Sequence, residues 1–475
     1  VNANSISGTT GQGKQMEAIQ IELTGELKDK YDIYYKTYVS TKGWTSWSKN
    51  GETSGTTGKS LSLKAYQVKL VEKTNKKDDN KKDDDKKDEY IPEVDSKSNF
   101  SNLIIFAKFN DDTRDIFNAT KDYGTYKTNN FESIKKMYNE NIMYTGYDDS
   151  FKKYISTITE GKINVNNIFL QQSSDKNKIK TYVLKGKQSD YSSGDNIVSE
   201  IISEIKKGNI NNNFGNVKYD NVTSGILDNL TIIIQGSTSS NNEGEDLLVN
   251  HKTDYGANDT INGKIVRSYI IHNSSSLVSN DASISASESQ SGVISHEFLH
   301  VLGLPDLYRK TDDGIPVGPW DIMASVSYFK QYPLSYLRME KGWIKENNIT
   351  KSGNYTLDAV SETGDKKIYI IKTPLSDSEQ IVLEYRKKQD KIGQTEYSLP
   401  ESGLLIYRVD KKIDNLTNAE GNNYIYVYRP NVTNGENASD KTYLMNSNYM
   451  NNIYNAALNP DKGKTEYGST NLSDD

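Results

Sequence analysis

Residues 293–302 read VISHEFLHVL, and every position except Ser295, His296, Glu297 and His300 is apolar. Apolar residues on all sides of a helical stretch predict a helix that is buried in the protein. Burying an ionisable side chain costs free energy unless the side chain has a partner. The two histidines and the glutamate of this helix therefore need a partner inside the fold.

A metal ion is the partner that the spacing of these side chains favours. His296 and His300 are four residues apart, so both imidazoles project from one face of the helix. That geometry suits one tetrahedral zinc ion with Zn–N distances of about 2.0–2.1 Å. Glu297 lies beside the same face, where a carboxylate can hold a metal-bound water and accept its proton.

A third protein ligand is required, because a catalytic zinc ion takes three and leaves one position for water. Gly303 can adopt the left-handed conformation that ends a helix, and Pro305 prevents the helix from resuming. The next carboxylate is Asp306, six residues beyond His300, and the sequence predicts it as the third ligand. The alternative is Glu340, on a later helix.

Residues 296–308, HEFLHVLGLPDLY, resemble the immune-inhibitor-A family of secreted bacterial zinc metalloendopeptidases, whose motif is HExxHxxGxxD. The resemblance implies zinc ligands at His296, His300 and Asp306, a general base at Glu297 and a turn at Gly303. It also implies a secreted enzyme that hydrolyses peptide bonds of extracellular proteins.

The resemblance spans about residues 98–410 and implies an α+β fold. Its catalytic domain would be zincin-like or metzincin-like, with a mixed sheet and an active-site helix. Residues 317–325, VGPWDIMAS, resemble the family's GxWDxM segment, which implies that Met323 lies beneath the zinc ion.

Other side chains remain open as site candidates. A hydroxyl donor to the oxyanion is usual in such sites, and Tyr328, Tyr332 and Tyr336 are the candidates, between which the sequence does not choose. His251 and His272 receive no role. The resemblance also raises a structural calcium ion, for which the acidic pairs are Asp111-Asp112 and Asp312-Asp313. Neither pair has EF-hand spacing, and acidic surface loops explain both equally well.

An internal repeat opens the chain. The tetrad GTTG occurs at residues 8–11 and again at residues 55–58. Alternating residues at 19–23 and 31–39 predict strands, and Asn50-Gly51 predicts a hairpin turn. With Gly43-Trp44, the pattern resembles the clostridial hydrophobic repeat, complete over about residues 27–73 and preceded by a partial copy.

Repeats of this type imply attachment to a cell-wall or other surface ligand. The alternative is that Trp44 and Trp47 only pack the core of the β-module.

Four regions follow from these patterns. We expect an all-β repeat module at 1–73, a charged linker at 74–97, a metallopeptidase domain at 98–347 and a β-rich module at 348–475. The linker is expected because residues 74–89 read TNKKDDNKKDDDKKDE, which cannot bury enough apolar surface to fold. In the two larger regions the pattern predicts helices at 150–159 and 195–207, and strands at 103–109, 163–171, 181–184, 230–234, 367–371, 380–385, 403–409 and 424–428.

Composition excludes several classes of function. The 475 residues contain no cysteine, which excludes disulfide scaffolds and thiolate metal sites. Lys and Arg number 58 against 64 Asp and Glu, so no basic surplus favours nucleic acid as a partner. No run of about 18 apolar residues predicts a transmembrane segment. The main hypothesis is a secreted zinc endopeptidase that acts on protein or peptide substrates; the alternative is a catalytically inactive surface-binding protein with a peptidase-like fold.

Overall fold

The structure is a computed structural model of the chain, and it divides into two compact units, residues 1–87 and 88–475. It describes residues 15–40, 43–45, 47–72, 98–122, 127–140, 148–211, 218–236, 247–278, 291–310, 314–326, 330–391, 393–413, 416–419, 423–429 and 452–466. The linker predicted at 74–97 lies outside these described residues.

The first unit is built around one long strand, β2. Its elements are β1 (Ala18–Ile19), α1 (Glu26–Lys30), β2 (Tyr31–Val39), β3 (Gly43–Trp44), β4 (Ser48–Lys49), β5 (Ser54–Gly55) and β6 (Leu63–Glu72). β2 pairs antiparallel with β3, β4 and β6, and β1 pairs with β5. Every second residue of β2 from Ile33 to Val39 is buried, as a strand with one face in the core requires.

A turn is present at Asn50-Gly51, but it does not form the predicted hairpin, because β4 pairs with β2 and β5 pairs with β1. Both residues have positive φ, 44° and 93°, and Glu52 N–H donates to the Lys49 carbonyl at 3.0 Å. The strand predicted at 19–23 is shorter than expected and ends at Ile19. Beyond β1, the Ile21 carbonyl accepts a hydrogen bond from Gly51 N–H in the turn, at 2.8 Å. The unit also contains the five-residue helix α1, so it is not entirely β.

The second unit is mixed α and β, with more strand than helix and several sheets. Its helices are α2 (Asn130–Asn139), α3 (Phe151–Ile158), α4 (Gly194–Lys206), α5 (Ser291–Val301) and α6 (Ser335–Glu340). Its strands are β7 (Ser98–Lys108), β8 (Thr120–Asp122), β9 (Lys127–Asn129), β10 (Ile163–Phe169), β11 (Tyr182–Val183), β12 (Asn229–Ile234), β13 (His251–Asp254), β14 (Thr260–Ile261), β15 (Lys264–Ile265), β16 (Ser268–Asn273), β17 (Tyr369–Lys372), β18 (Glu379–Arg386), β19 (Gly403–Asp410) and β20 (Ile425–Val427).

A six-stranded sheet forms the middle of this unit. Its order is β10-β7-β12-β16-β13, with β11 also paired to β7. All neighbours are parallel except β13, which runs antiparallel to β16 at the edge. β12 is buried on both faces, because strands inside a parallel sheet are covered on both sides. The predicted mixed sheet is therefore present.

Two apolar cores lie on opposite faces of this sheet. One contains Ile201 of α4 together with Ile232 and Ile271 of the sheet. The other contains the neighbouring sheet residues Ile233 and Ile270, together with helices α2, α3 and α5. The predicted helices at 150–159 and 195–207 are confirmed as α3 and α4.

The second core also includes the antiparallel sheet β17-β18-β19-β20. Leu299 of α5 belongs to the same apolar cluster as Val382, Tyr407 and Ile425 of that sheet. Residues 347 and 348, between which the sequence predicted a boundary, therefore lie within one compact unit. Every second residue of β18 and β19 is buried. Such alternation in a sequence predicts that one face of a strand is buried, but it does not identify the elements that cover that face.

A buried ion cluster joins this antiparallel sheet to the segment after α5. Arg386 donates to Glu384 at 3.0 Å and to Glu396 at 2.8 Å, and all three side chains are fully buried. Arg386 also donates to the Trp320 carbonyl at 2.6 Å. The guanidinium therefore fixes the chain just before the segment that contains Met323.

Candidate metal centre

Helix α5 carries two of the candidate ligands and ends as the sequence predicts. Gly303 has φ 78°, and Leu304 N–H donates to the Leu299 carbonyl at 3.0 Å. This is the left-handed helix end that glycine favours. The chain turns back immediately after His300 and returns Asp306 toward the helix.

His296, His300 and Asp306 come together in the folded chain. One ligand atom from each lies within 4.8 Å of the others. Asp306 Oδ1 is 3.4 Å from His296 Nε2 and 3.0 Å from His300 Nε2. Tetrahedral zinc with bonds of about 2.0–2.1 Å separates its ligand atoms by about 3.3 Å, so the spacing suits such an ion.

Backbone carbonyls orient both imidazoles. His296 Nδ1 is 3.0 Å from the Ile322 carbonyl, and His300 Nδ1 is 2.8 Å from the Leu304 carbonyl. Because a carbonyl oxygen only accepts, each Nδ1 carries a hydrogen, and in the neutral form of each ring Nε2 then presents a lone pair. Both lone pairs are directed toward Asp306.

The arrangement leaves electron-rich atoms facing each other. Asp306 Oδ1 is buried and has no hydrogen-bond partner. A buried polar atom without a partner costs free energy, and two lone pairs directed at a carboxylate oxygen repel it. A cation among the three side chains removes both penalties, so the residues fit a zinc ion.

The pKa values of the cluster indicate the same preference for positive charge. Burial opposes ionisation of Asp306, but the adjoining imidazoles and the Lys310 ammonium hold the pKa of that carboxyl well below its usual range. Burial also disfavours a charged His296, yet Asp306 and Glu297 outweigh it and raise the pKa of His296. The site therefore stabilises a positive charge.

The three side chains open into a cleft of about 620 Å³. Glu297 is 7% exposed and lines the cleft beside the two histidines. Edge strand β13 forms part of the wall. Val249 and Asn250, just before β13, also line the cleft, and two further short segments contribute Leu304, Pro305, Tyr308, Lys310, Thr417 and Ala419.

Other predicted site residues lie elsewhere. Glu340, the alternative ligand, is outside the cluster and pairs with Lys411 at 3.7 Å. Met323 is fully buried, and its N–H donates to the Asp321 carboxylate at 2.6 Å. Ile322, between Asp321 and Met323, supplies the carbonyl that orients His296. The segment that contains Met323 therefore lies against the cluster.

Tyr308 lines the cleft, although the sequence did not single it out as a hydroxyl donor. Tyr332 and Tyr336 are buried, with their rings against Arg338 and Lys411 respectively, and neither lines the cleft. Tyr328 lies outside the described residues. Tyr308 does line the cleft, with its ring centroid 6.3 Å from that of His296. Its position two residues after Asp306, on the same turn, was the available signal.

The remaining histidines are close to the cleft but outside the cluster. His251 lines the cleft from β13. His272 is fully buried in β16, with Nδ1 3.3 Å from Asn250 Oδ1. Burial, with a smaller contribution from His251, lowers the pKa of His272 to about 3, so His272 stays neutral.

The acidic pairs that suggested calcium do not form a cluster in the described part of the chain. Arg114 donates to the two carboxylate oxygens of Asp112 at 2.9 and 2.7 Å, so both oxygens are already paired with a guanidinium. Asp312 and Asp313 lie outside the described residues. The only group of three or more potential ligands among the described residues is His296, His300 and Asp306.

Comparison with known families identifies the beginning of the chain. Residues 1–25 and 38–72 match the family described as ChW, Clostridial hydrophobic W. The predicted repeats are thereby confirmed. No curated protein matches the chain, so the resemblance of the metal-binding motif to immune-inhibitor-A peptidases stays a prediction. In the described part of the chain, every helix is too short or too polar to cross a membrane.

His272 predicts a specific pH dependence of stability. The folded chain keeps this imidazole neutral down to a pKa of about 3, against an ordinary value of 6.5. Below pH 6.5 the unfolded chain gains a proton that the folded chain does not, so stability falls as the pH decreases. Between pH 7 and pH 5 the loss due to His272 should be about 2 kcal/mol.

Urea unfolding of the unit formed by residues 88–475 tests this expectation. A His272→Gln variant should lose about 2 kcal/mol less than the wild type between pH 7 and pH 5. Between pH 7 and pH 8 the two should change in parallel. Identical losses on acidification would show that His272 is not the group responsible.

Proposed function

We propose that this protein is a zinc-dependent endopeptidase that acts on extracellular proteins and is attached to a surface through its N-terminal repeats. The observation that carries the proposal is the convergence of His296, His300 and Asp306 on one buried point, with Glu297 in the same cleft. Three protein ligands leave one coordination position for water, which is typical of catalytic rather than structural zinc.

A zinc ion at this cluster would supply a Lewis acid that polarises a peptide carbonyl and lowers the pKa of water to about 7. The chain itself supplies the proton transfers. Glu297 is next to His296 in the cleft, so its carboxylate accepts a proton from the attacking water and then donates it to the leaving amine.

The shape of the cleft favours a polypeptide as the substrate. Among the described residues, β13 is the last strand of its sheet, and His251–Asp254 line the cleft. An edge strand presents backbone N–H and carbonyl groups with which an extended peptide pairs. A substrate bound in this way lies alongside Glu297, which supports peptide-bond hydrolysis.

The alternative is an inactive protein that keeps the fold and only binds a surface. The intact set of ligands and base favours the enzyme, because a binding protein has no need of Glu297 beside a metal-binding cluster. Catalysis and zinc binding therefore have to be measured separately.

A Glu297→Gln variant separates them. Glutamine has a similar shape but cannot accept the proton, so casein hydrolysis should fall by about 10²–10⁴-fold. Bound zinc, measured by atomic absorption, should remain at the wild-type level. Glu340→Gln is the matched control, since Glu340 pairs with Lys411 outside the cluster, and it should leave both measurements unchanged. Equal hydrolysis by the Glu297 variant would contradict the proposed base.

Tyr308 is the hydroxyl donor that we propose for the developing oxyanion. Its ring adjoins His296, and it is 36% exposed in the cleft. Burial and then Asp306 raise the pKa of Tyr308, so the phenol keeps its proton and remains a hydrogen-bond donor.

A Tyr308→Phe variant should lower kcat by about 10²-fold with little change in KM, because the lost bond strengthens only in the transition state. Tyr332→Phe and Tyr336→Phe serve as controls and should retain the wild-type kcat. Steady-state kinetics on a chromogenic peptide would measure all three. Loss of activity in a control but not in Tyr308→Phe would reverse the assignment.

The N-terminal repeats are proposed to provide attachment. They match the ChW family and form a unit of their own. A chain that begins at residue 88 should therefore keep its proteolytic activity but no longer sediment with clostridial cell walls. Undiminished sedimentation of the shortened chain would exclude the repeats as the attachment site.

A further inference from the structure

The third candidate ligand lies on a segment that has no regular structure of its own. Asp306 follows the end of α5, outside the helices and strands of the second unit. His296 and His300 are held by a helix that is buried in the core, whereas Asp306 has no such support. Its position must therefore come from contacts with other parts of the chain.

Residues 416–419, which follow β19, supply those contacts. Thr417 Oγ1–H donates to the Asp306 carbonyl at 2.7 Å, and Asn418 N–H donates to the same oxygen at 3.1 Å. Lys310 N–H donates back to the Ala419 carbonyl at 2.9 Å. These bonds hold the main chain of Asp306 from outside the helix-turn motif.

The 416–419 segment is itself fixed to the antiparallel sheet. Asn418 is fully buried, and its side chain bonds both backbone groups of Ile425 in β20, at 2.8 and 3.0 Å. The same side chain donates to the Leu307 carbonyl at 3.1 Å. The Asn418 side chain therefore links the sheet to the ligand segment, while Thr417 Oγ1–H and Asn418 N–H both bond the Asp306 carbonyl.

We propose that Thr417 is a positioning residue of the metal centre, an inference that rests on the proposed function. Its hydroxyl sets the Asp306 main chain so that the carboxylate faces the two imidazoles. Partners that orient a metal ligand typically change metal affinity by about 10–100-fold when they are removed. Thr417 acts through Asp306 and does not touch the metal.

Thr417 is suited to a test because it can be altered with little disturbance. Its hydroxyl donates to Asp306 and accepts from Ala419 N–H at 3.1 Å, and the residue is half-buried at the cleft wall. Valine has a similar shape without the hydroxyl, and serine keeps the hydroxyl without the methyl group. Asn418, by contrast, makes several buried bonds, and its replacement would disturb the fold.

The experiment measures zinc affinity of the full chain by competition with a fluorescent chelator. Thr417→Val should raise the zinc dissociation constant about 10-fold, and Thr417→Ser should stay within about twofold of the wild type. Unfolding of each zinc-free chain is measured in parallel, to identify any variant that has lost its fold.

The outcomes separate this inference from the proposed function. Weaker zinc binding by the valine variant alone, with unfolding unchanged, supports the positioning role even if no peptide is hydrolysed. Wild-type affinity in Thr417→Val overturns the positioning role and leaves the peptidase proposal intact. Equal weakening in the valine and serine variants also overturns it, since the hydroxyl would then be irrelevant. A wild-type chain that takes up no zinc overturns both.

Discussion

The candidate metal centre depends on two hydrogen bonds between imidazoles and backbone carbonyls. They place the hydrogen of His296 on the nitrogen facing Ile322 and that of His300 on the nitrogen facing Leu304. Only then do both lone pairs meet at Asp306. If either ring took the other tautomer, an N–H would point at the carboxylate, and the cluster would satisfy itself without a cation. The two carbonyls therefore determine whether this pocket is a cation site.

Each of these carbonyls is held by a different part of the fold. The Leu304 carbonyl is set locally, by the left-handed turn at Gly303 directly after α5. The Ile322 carbonyl is positioned by residues that lie farther along the sequence. Asp321 accepts from Met323 N–H and Leu334 N–H, both at 2.6 Å, and Arg386 holds Trp320. One imidazole thus depends on the helix end and the other on the antiparallel sheet.

The difference between local and distant contacts explains which parts of the candidate site could be predicted from the sequence. The buried helix, the paired histidines, the turn at Gly303 and the proximity of Asp306 follow from local spacing, because all lie within 14 consecutive residues from 293 to 306. Tyr308 was within reach of the same reasoning, since it follows Asp306 by two residues. Thr417 was not within reach, since 111 residues separate it from Asp306 and a single threonine has no pattern. The boundary expected at 347 falls inside one compact unit. Alternation along β18 shows that one face is buried, while the covering elements lie far away in the sequence.

The side chains of the candidate centre are positioned by contacts that differ in their separation along the chain. A candidate ligand on a helix is placed when the helix packs. The turn at Gly303 brings Asp306 near, and residues 416–419 then hold its main chain. Closing the loop from Asp306 to these residues carries an entropic cost that only later contacts offset. The bonds of Thr417 to Asp306 and of Arg386 to Trp320 require the antiparallel sheet to be joined to the core. The three candidate ligand side chains are therefore fully positioned only in the completed unit, and a shorter fragment that ends before β18 would contain the candidate motif without the contacts that hold Asp306.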